Sequence, residues 1–289
     1  MASMQDIKRR KNSVNSTMQI TKAMKLVSTV KLQHAKAKAE STKPYFDMMY
    51  KTVSSILAKT DNVSHPYLDS NGCDKKVVIT ITSNKGLAGG YNNNVVKEMA
   101  ASGLTPENST IYTIGRKGYE SLARKGYPIV KDESDIINEP LYSDAIAVSK
   151  QVLDMYTNGE VGEIYLAYTE FKNTVSQIPH VIRLLPIDMS IVEASAETDK
   201  NEAVTLMDYE PEAEEALYEI VPKYMTSLIY GGLIEAVASE NGARMQAMDN
   251  ATSNAEDMIS DLSLLYNRAR QSSITQELTE IVAGASAIE

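Results

Sequence analysis

The chain has 289 residues, enough for one or two domains with proper cores, and its single cysteine, Cys73, excludes an intrachain disulfide and a thiol-rich metal site. No uninterrupted apolar run approaches the ~18 residues that span a bilayer, and the basic N-terminus is not followed by the apolar core of a secretory signal. The net charge of -9 is uneven: residues 1–43 carry ten basic and two acidic side chains, a charge of +8, which leaves -17 for the rest.

Those first 43 residues contain neither Gly nor Pro, and Val14, Thr17, Ile20, Met24, Val27, Val30, His34 and Ala37 recur at spacings of three and four. The spacing predicts a long helix over residues 1–58 carrying the seam of a coiled coil. A Lys/Arg-rich, acid-poor start also has the character of an organelle transit peptide, but a seam that continues to Ala37 favours mature structure. Most of the lysines read as the solvated flank of the coil; an acidic protein surface and a nucleic acid are the other partners their charge would suit. Pro44 removes a helix hydrogen bond, so a bend or short break is expected before the helix resumes through Met48, Met49, Val53, Ile56 and Leu57. A polar connection, Lys59 to Asp74, follows, with Pro66 and Asn71-Gly72 as turn signals.

The run Lys75 to Thr82 is nearly continuous apolar and β-branched, as suits a strand covered on both faces. After the loop Ser83 to Asn92 the sequence predicts a helix near Asn94 to Ala101, a strand Thr110 to Ile114, a helix Lys117 to Lys125 and a short strand Pro128 to Lys131. A helix Ser143 to Tyr156 then precedes two strand-like runs, Glu163 to Phe171 and Gln177 to Ile187. This alternation is that of a doubly wound, Rossmann-like α/β domain over residues 75–188, whose last two runs can form an antiparallel hairpin through Asn173-Thr174. Met189 to Tyr209 reads as loop.

Glu210-Pro211 followed by Glu212, Glu214 and Glu215 marks the start of a helix over residues 211–289. Its stripe of Met245, Met248, Ala251, Ala255, Met258, Leu262, Leu265 and Ala269 is a narrow coiled-coil seam. The expected fold class is therefore α/β, with a long antiparallel coiled coil of N- and C-terminal helices and a central Rossmann-like domain. Setting residues 1–58 level with Pro211 to Ala269 pairs positions whose numbers add to about 268, with Pro44 level with Tyr224 and both helices bending at one height, near Pro44 and Pro222. After Ala269 the apolar positions jump five residues to Ile274 and resume as Leu278, Ile281, Ala285 and Ile288. A single-helix overhang from about residue 270 is expected, with Ile274, Leu278, Ile281, Val282 and Ile288 left for other subunits to cover. Gly231, Gly232 and Gly242 each cost a helix about 1 kcal/mol relative to alanine; they read as points of close approach by the paired helix, the alternative being a helix break at Gly231-Gly232.

Candidate chemistry is sparse. Gly86, Gly89 and Gly90 follow a strand, but their spacing matches neither G-x-G-x-x-G nor a P-loop, so a tight turn against the helices is expected in preference to nucleotide binding. His34, His65 and His180 have no Cys or His neighbours at metal-ligand spacing; His34 falls on the N-terminal seam as a register residue. Asn250, Asn254 and Asn267 read as surface or register positions. No catalytic pair stands out, and no cofactor or metal is expected.

The segments Ile20-Thr-Lys-Ala-Met-Lys25, Gly86-Leu-Ala-Gly-Gly-Tyr-Asn92, Ser239-Glu-Asn-Gly-Ala-Arg-Met-Gln-Ala-Met-Asp-Asn-Ala251, Tyr266-Asn-Arg-Ala-Arg-Gln271 and Ile274-Thr-Gln-Glu-Leu-Thr-Glu-Ile-Val-Ala-Gly-Ala-Ser-Ala287 resemble the gamma subunit of the rotary F-type ATP synthase. Ala88 stands where many relatives have cysteine, and the cysteine-bearing insertion of chloroplast relatives is missing, so their thiol switch is not expected. The resemblance implies a non-catalytic shaft, one copy per complex, inside a ring of three alpha and three beta subunits that hold the nucleotides. It further implies that the overhang sits in an apolar bearing, and that the α/β domain stands against the epsilon subunit and the membrane c-ring, driven by protons or sodium ions. Carried over by motif, Lys22, Met24 and Lys25 would face a moving acidic segment of the hexamer, and Arg270 and Gln271 a catalytic-subunit loop. Ile274, Thr275, Glu277, Leu278 and Ile281 would complete the hexamer contact. The location implied is peripheral, at the inner, cytoplasmic face of the cell membrane, with no membrane insertion and no nucleic acid. Two rivals remain: a nucleotide-dependent α/β enzyme using Gly86 to Asn92, and a nucleic-acid-binding coiled coil using the basic helix.

Overall fold

A computed structural model describes residues 4–59, 65–69, 71–187 and 213–286. The helix start at Glu210-Pro211, the loop Met189 to Tyr209, residues 60–64 and 70 of the connection after Lys59, and Ile288 lie outside the described residues. Among the described residues the elements run α1 (Met4–Lys59), β1 (Lys76–Ile81), α2 (Tyr91–Ala101), β2 (Ser109–Ile114), α3 (Arg116–Arg124), β3 (Ile129–Asp132), a 3-10 turn (Ile136–Asn138), α4 (Tyr142–Thr157), β4 (Glu163–Phe171), β5 (Gln177–Leu185) and α5 (Ala213–Ser286). They form two compact units: residues 30–243, and residues 1–29 together with 244–289.

The larger unit is built on a five-stranded sheet in the order β3-β2-β1-β4-β5. The first four strands are parallel and β5 closes the edge antiparallel to β4, which makes the predicted hairpin real. Val77, Ile79 and Ile81 alternate with Val78 along β1, and all four are fully buried because both faces are covered. One face packs on α2 and α3 through Val95, Val96, Met99 and Leu122; the other carries α4, the end of α1 and the first half of α5 through Val148, Val152, Ile56, Leu57, Val221, Met225 and Leu233. Strand order reverses between β1 and β4, as in a doubly wound fold.

The glycine-rich loop is a turn fastened to helix α5. Leu87 and Gly89 take positive φ, the Asn92 amide group holds Ser83, and the Tyr91 hydroxyl donates to the Ala236 carbonyl over 3.1 Å. Anchoring Tyr91 in this way starts α2 three residues earlier than the sequence suggests.

Both prolines sit inside unbroken helix, so the break offered for Pro44 does not occur. The prolines are also not level. Phe46 packs on Tyr230, ring centroids 6.3 Å apart, and faces Gly231, which puts Pro44 opposite residues near 232, roughly 15 Å along the axis from Pro222. The helix glycines need correction too. A Cβ on Gly232 would lie 3.1 Å from Leu166 and 3.4 Å from Tyr168, and one on Gly242 would lie 3.1 Å from Phe171. Those two glycines admit the sheet and its hairpin; only Gly231 faces α1, and α5 does not break there.

In the smaller unit α1 and α5 pair antiparallel. The Thr21 and Thr252 hydroxyls share a hydrogen bond of 2.8 Å, and Lys25 Nζ meets Asp249 at 2.5 Å, so paired numbers add to 273 and 274. The expected register is thus out by about six residues. It rested on levelling the helix bases, whereas side-chain matches fix the alignment.

Candidate functional site

The α1 seam differs from the expected one. Burial follows Ile7, Val14, Met18, Thr21, Ser28, Leu32 and Ala35, while Thr17, Ile20, Val27, Val30, His34 and Ala37 are exposed. The difference arises because small hydroxyl residues face the partner helix: Thr21 bonds both Met18 and Thr252, and Ser28 is 2% exposed. Ile20, Leu26, Val27 and Val30, each more than half exposed, form instead an apolar outer face. On α5 the expected seam holds better: Met248, Ala255 and Leu262 are buried and Met245, Ala251 and Ala269 half-buried, but Met258 and Leu265 turn out to solvent.

The sequence-derived contact residues separate into two groups. Met24 and Lys25 are half-buried, Lys25 paired with Asp249, and Lys22 is exposed. Arg270, Gln271, Ile274, Thr275, Glu277, Leu278 and Ile281 are exposed on α5, roughly 30 Å further along that helix. With paired numbers adding to 273 or 274, Met4 falls level with about Ala269. By that register the described part of α1 begins near the level of Ala269, and further along α5 Ile274, Leu278 and Ile281 are 44%, 57% and 67% exposed.

Around that level the two helices frame a groove of about 920 Å³, lined by Ile7, Arg9, Arg10, Leu262, Leu265 and Arg268 and reaching Ser272. Asp6 pairs with Arg9 at 3.2 Å. A floor of aliphatic side chains under guanidinium groups suits an apolar partner segment that carries acidic groups. The sequence counts Arg9 and Arg10 within the basic stretch that would suit an acidic protein surface, but singles out none of these three arginines as a contact, since basic residues along a helix are ordinarily solvated flank.

Among the described residues no group of three or more His, Cys, Asp or Glu side chains could hold a metal, and no helix is long and apolar enough to cross a membrane. A pair of long helices with apolar and basic side chains facing outward is the surface of a partner-binding subunit.

The family model described as ATP synthase matches residues 3–288. The chain is 65% identical over 290 residues to the ATP synthase gamma chain of Lachnoclostridium phytofermentans, covering 100% of both chains. It is 44% identical to that of Alkaliphilus metalliredigens, covering 99% of each. A third relative, 41% identical with 98% of each chain covered, is the sodium ion specific ATP synthase gamma chain of Acetobacterium woodii. In fold the chain is similar to a chain of the Euglena gracilis mitochondrial ATP synthase, with a TM-score of 0.69, 18% identity, and 99% and 94% of the two chains covered. A chain of the Tetrahymena thermophila central stalk and c-ring gives 0.57 at 24% identity, covering 80% and 99%. The chain belongs to the ATP synthase gamma chain family.

Proposed function

We propose a division of labour along the chain. Its role is the central rotor shaft of an F-type ATP synthase, a membrane-associated complex that couples ion flow to ATP synthesis or hydrolysis. In our reading residues 1–58 and 211–289 are the shaft, and residues 75–188 the foot that bears on the epsilon subunit and the membrane c-ring. One copy turns within three alpha and three beta subunits, at the inner, cytoplasmic face of the cell membrane. The chain itself carries out no catalysis.

The observation that carries this reading is the bare apolar strip of Ile274, Leu278 and Ile281, beyond the level at which α1 begins. In water such a strip is a liability; inside an apolar collar it is a bearing surface. Arg270, Gln271, Thr275 and Glu277 share this stretch and supply polar contacts to the catalytic hexamer. Lower on the shaft, Lys22, Met24 and Lys25 face its acidic segment, and the outward apolar face of Ile20, Val27 and Val30 enlarges that contact. Torque then arises because each orientation of an asymmetric surface favours one conformation of a catalytic site over another.

The test is replacement of Arg270 and Gln271 together by alanine in the reassembled complex. Ion-driven synthesis should fall about tenfold, the loss expected for two central interface contacts, with the subunit's circular dichroism unchanged. Unchanged synthesis and hydrolysis would remove these residues from the contact.

A further inference from the structure

Where α5 lies on the β4–β5 hairpin, it carries an acid into the contact. Glu235 is placed between Gly232, which packs on Leu166 and Tyr168, and Ser239, whose hydroxyl donates to the Thr169 carbonyl over 3.0 Å. Its Oε2 is buried and has no hydrogen-bond partner among the described residues. From β4 Glu170 acts on it and from β5 His180, whose Nε2 lies 2.8 Å from Glu170 Oε2, while Glu235 in turn acts on the phenol of Tyr168 on β4. Helix α1 brings Lys36 to the end of the same hairpin, with its ammonium over the Phe171 ring, 4.9 Å from the centroid. No cation is bonded to Glu235 among the described residues.

A carboxylate without a donor is costly to bury; the neutral acid is much less so. Burial, and after it the charge of Glu170, push the Glu235 carboxyl up to about 7, against a smaller opposing pull from His180. The Tyr168 phenol is pushed up as well, first by burial and then by the two carboxylates.

We propose that Glu235 is a proton-operated latch, seating the edge hairpin of the α/β domain on the shaft helix when protonated and loosening it when ionised. The sign follows from a carboxyl held above its ordinary value of 4.5: its contribution to seating is complete below that value and is lost as pH rises through about 7. The α/β domain of a rotor would thereby grip its shaft helix less firmly on the alkaline side of neutrality.

Amide hydrogen exchange on the full chain tests this at pH 6 and pH 8, after correction for the intrinsic pH dependence of exchange. In the native chain, peptides covering residues 163–185 should open about tenfold more readily at pH 8, the ratio expected for one group titrating midway between. Glu235→Gln should abolish the difference and hold the hairpin at its pH 6 protection. Glu170→Gln, which keeps Glu235, should move the transition to lower pH, and it serves as the test if Glu235→Gln fails to fold. Opening that is the same at both pH values in the native chain, or the same acceleration in Glu235→Gln, would overturn the proposal.

Discussion

Helix α5 is one continuous element with two different kinds of support. Over residues 213–243, Leu217, Val221, Met225, Ile229 and Leu233 fall every fourth position and are completely buried against sheet, α1 and α4. Among the described side chains from Arg244 onward, only Met248, Ala255 and Leu262 of the apolar ones are buried, and beyond Arg270 none is. The first half is held by a core; the second is held by a thin seam in which threonine and serine take places that leucine would fill in a self-sufficient coil. A shaft that must present its surface to other subunits cannot also bury that surface in itself, and the second half is composed accordingly.

Truncation at matched positions sharpens the contrast. Leu233→Ala should destabilise the larger unit by about 3–4 kcal/mol, because a fully enclosed site leaves a cavity. Leu262→Ala, 8% exposed on a seam two helices wide, should cost about 2 kcal/mol or less, since the site can collapse or admit water. Chemical denaturation followed by near-ultraviolet and far-ultraviolet signals reads both; equal losses would break the comparison. A smaller effect is expected at the threonine pair. Thr21→Val or Thr252→Val alone should cost about 1 kcal/mol by removing the hydrogen bond between the helices, the surviving hydroxyl keeping its bond to the Met248 or Met18 carbonyl, so the double variant should cost little more than either single one. Smallest of all in stability is Leu278→Ser, expected within about 0.5 kcal/mol because the side chain is 57% exposed. Its effect belongs to the assembled complex, where ATP hydrolysis should become less tightly coupled to ion transport.

These differences also explain what the sequence made legible. Continuous β-branched runs such as Val77 to Ile81, and the alternation of strand with amphipathic helix, disclose a doubly wound domain because enclosure on both faces leaves no freedom of composition. The bare strip at Ile274, Leu278 and Ile281 was equally readable, since its phase departs from that of the preceding seam. The N-terminal seam was not: Ile20, Val27 and Val30 are the apolar side chains a pattern selects, yet they face outward, and Thr21 and Ser28 face the partner helix. Small polar residues permit a close crossing and bond across it, a role hydrophobic periodicity cannot register. The same limit hid the alignment, set by contacts such as Thr21 with Thr252 and Phe46 with Tyr230, and it hid the sheet-facing purpose of Gly232 and Gly242. Glu235 carried no sequence signal at all, because its environment is assembled from β4 and β5.

As a central rotor shaft, this chain should turn inside its assembly. Val175, 72% exposed at the tip of the β4–β5 hairpin, is a suitable handle: with Cys73 replaced by serine and Val175 by cysteine, a probe can be attached and the reassembled complex fixed through its catalytic hexamer. On addition of ATP the probe should rotate in one direction and stop when ATP is exhausted. A probe that stays fixed in orientation while the same complexes hydrolyse ATP would contradict the account.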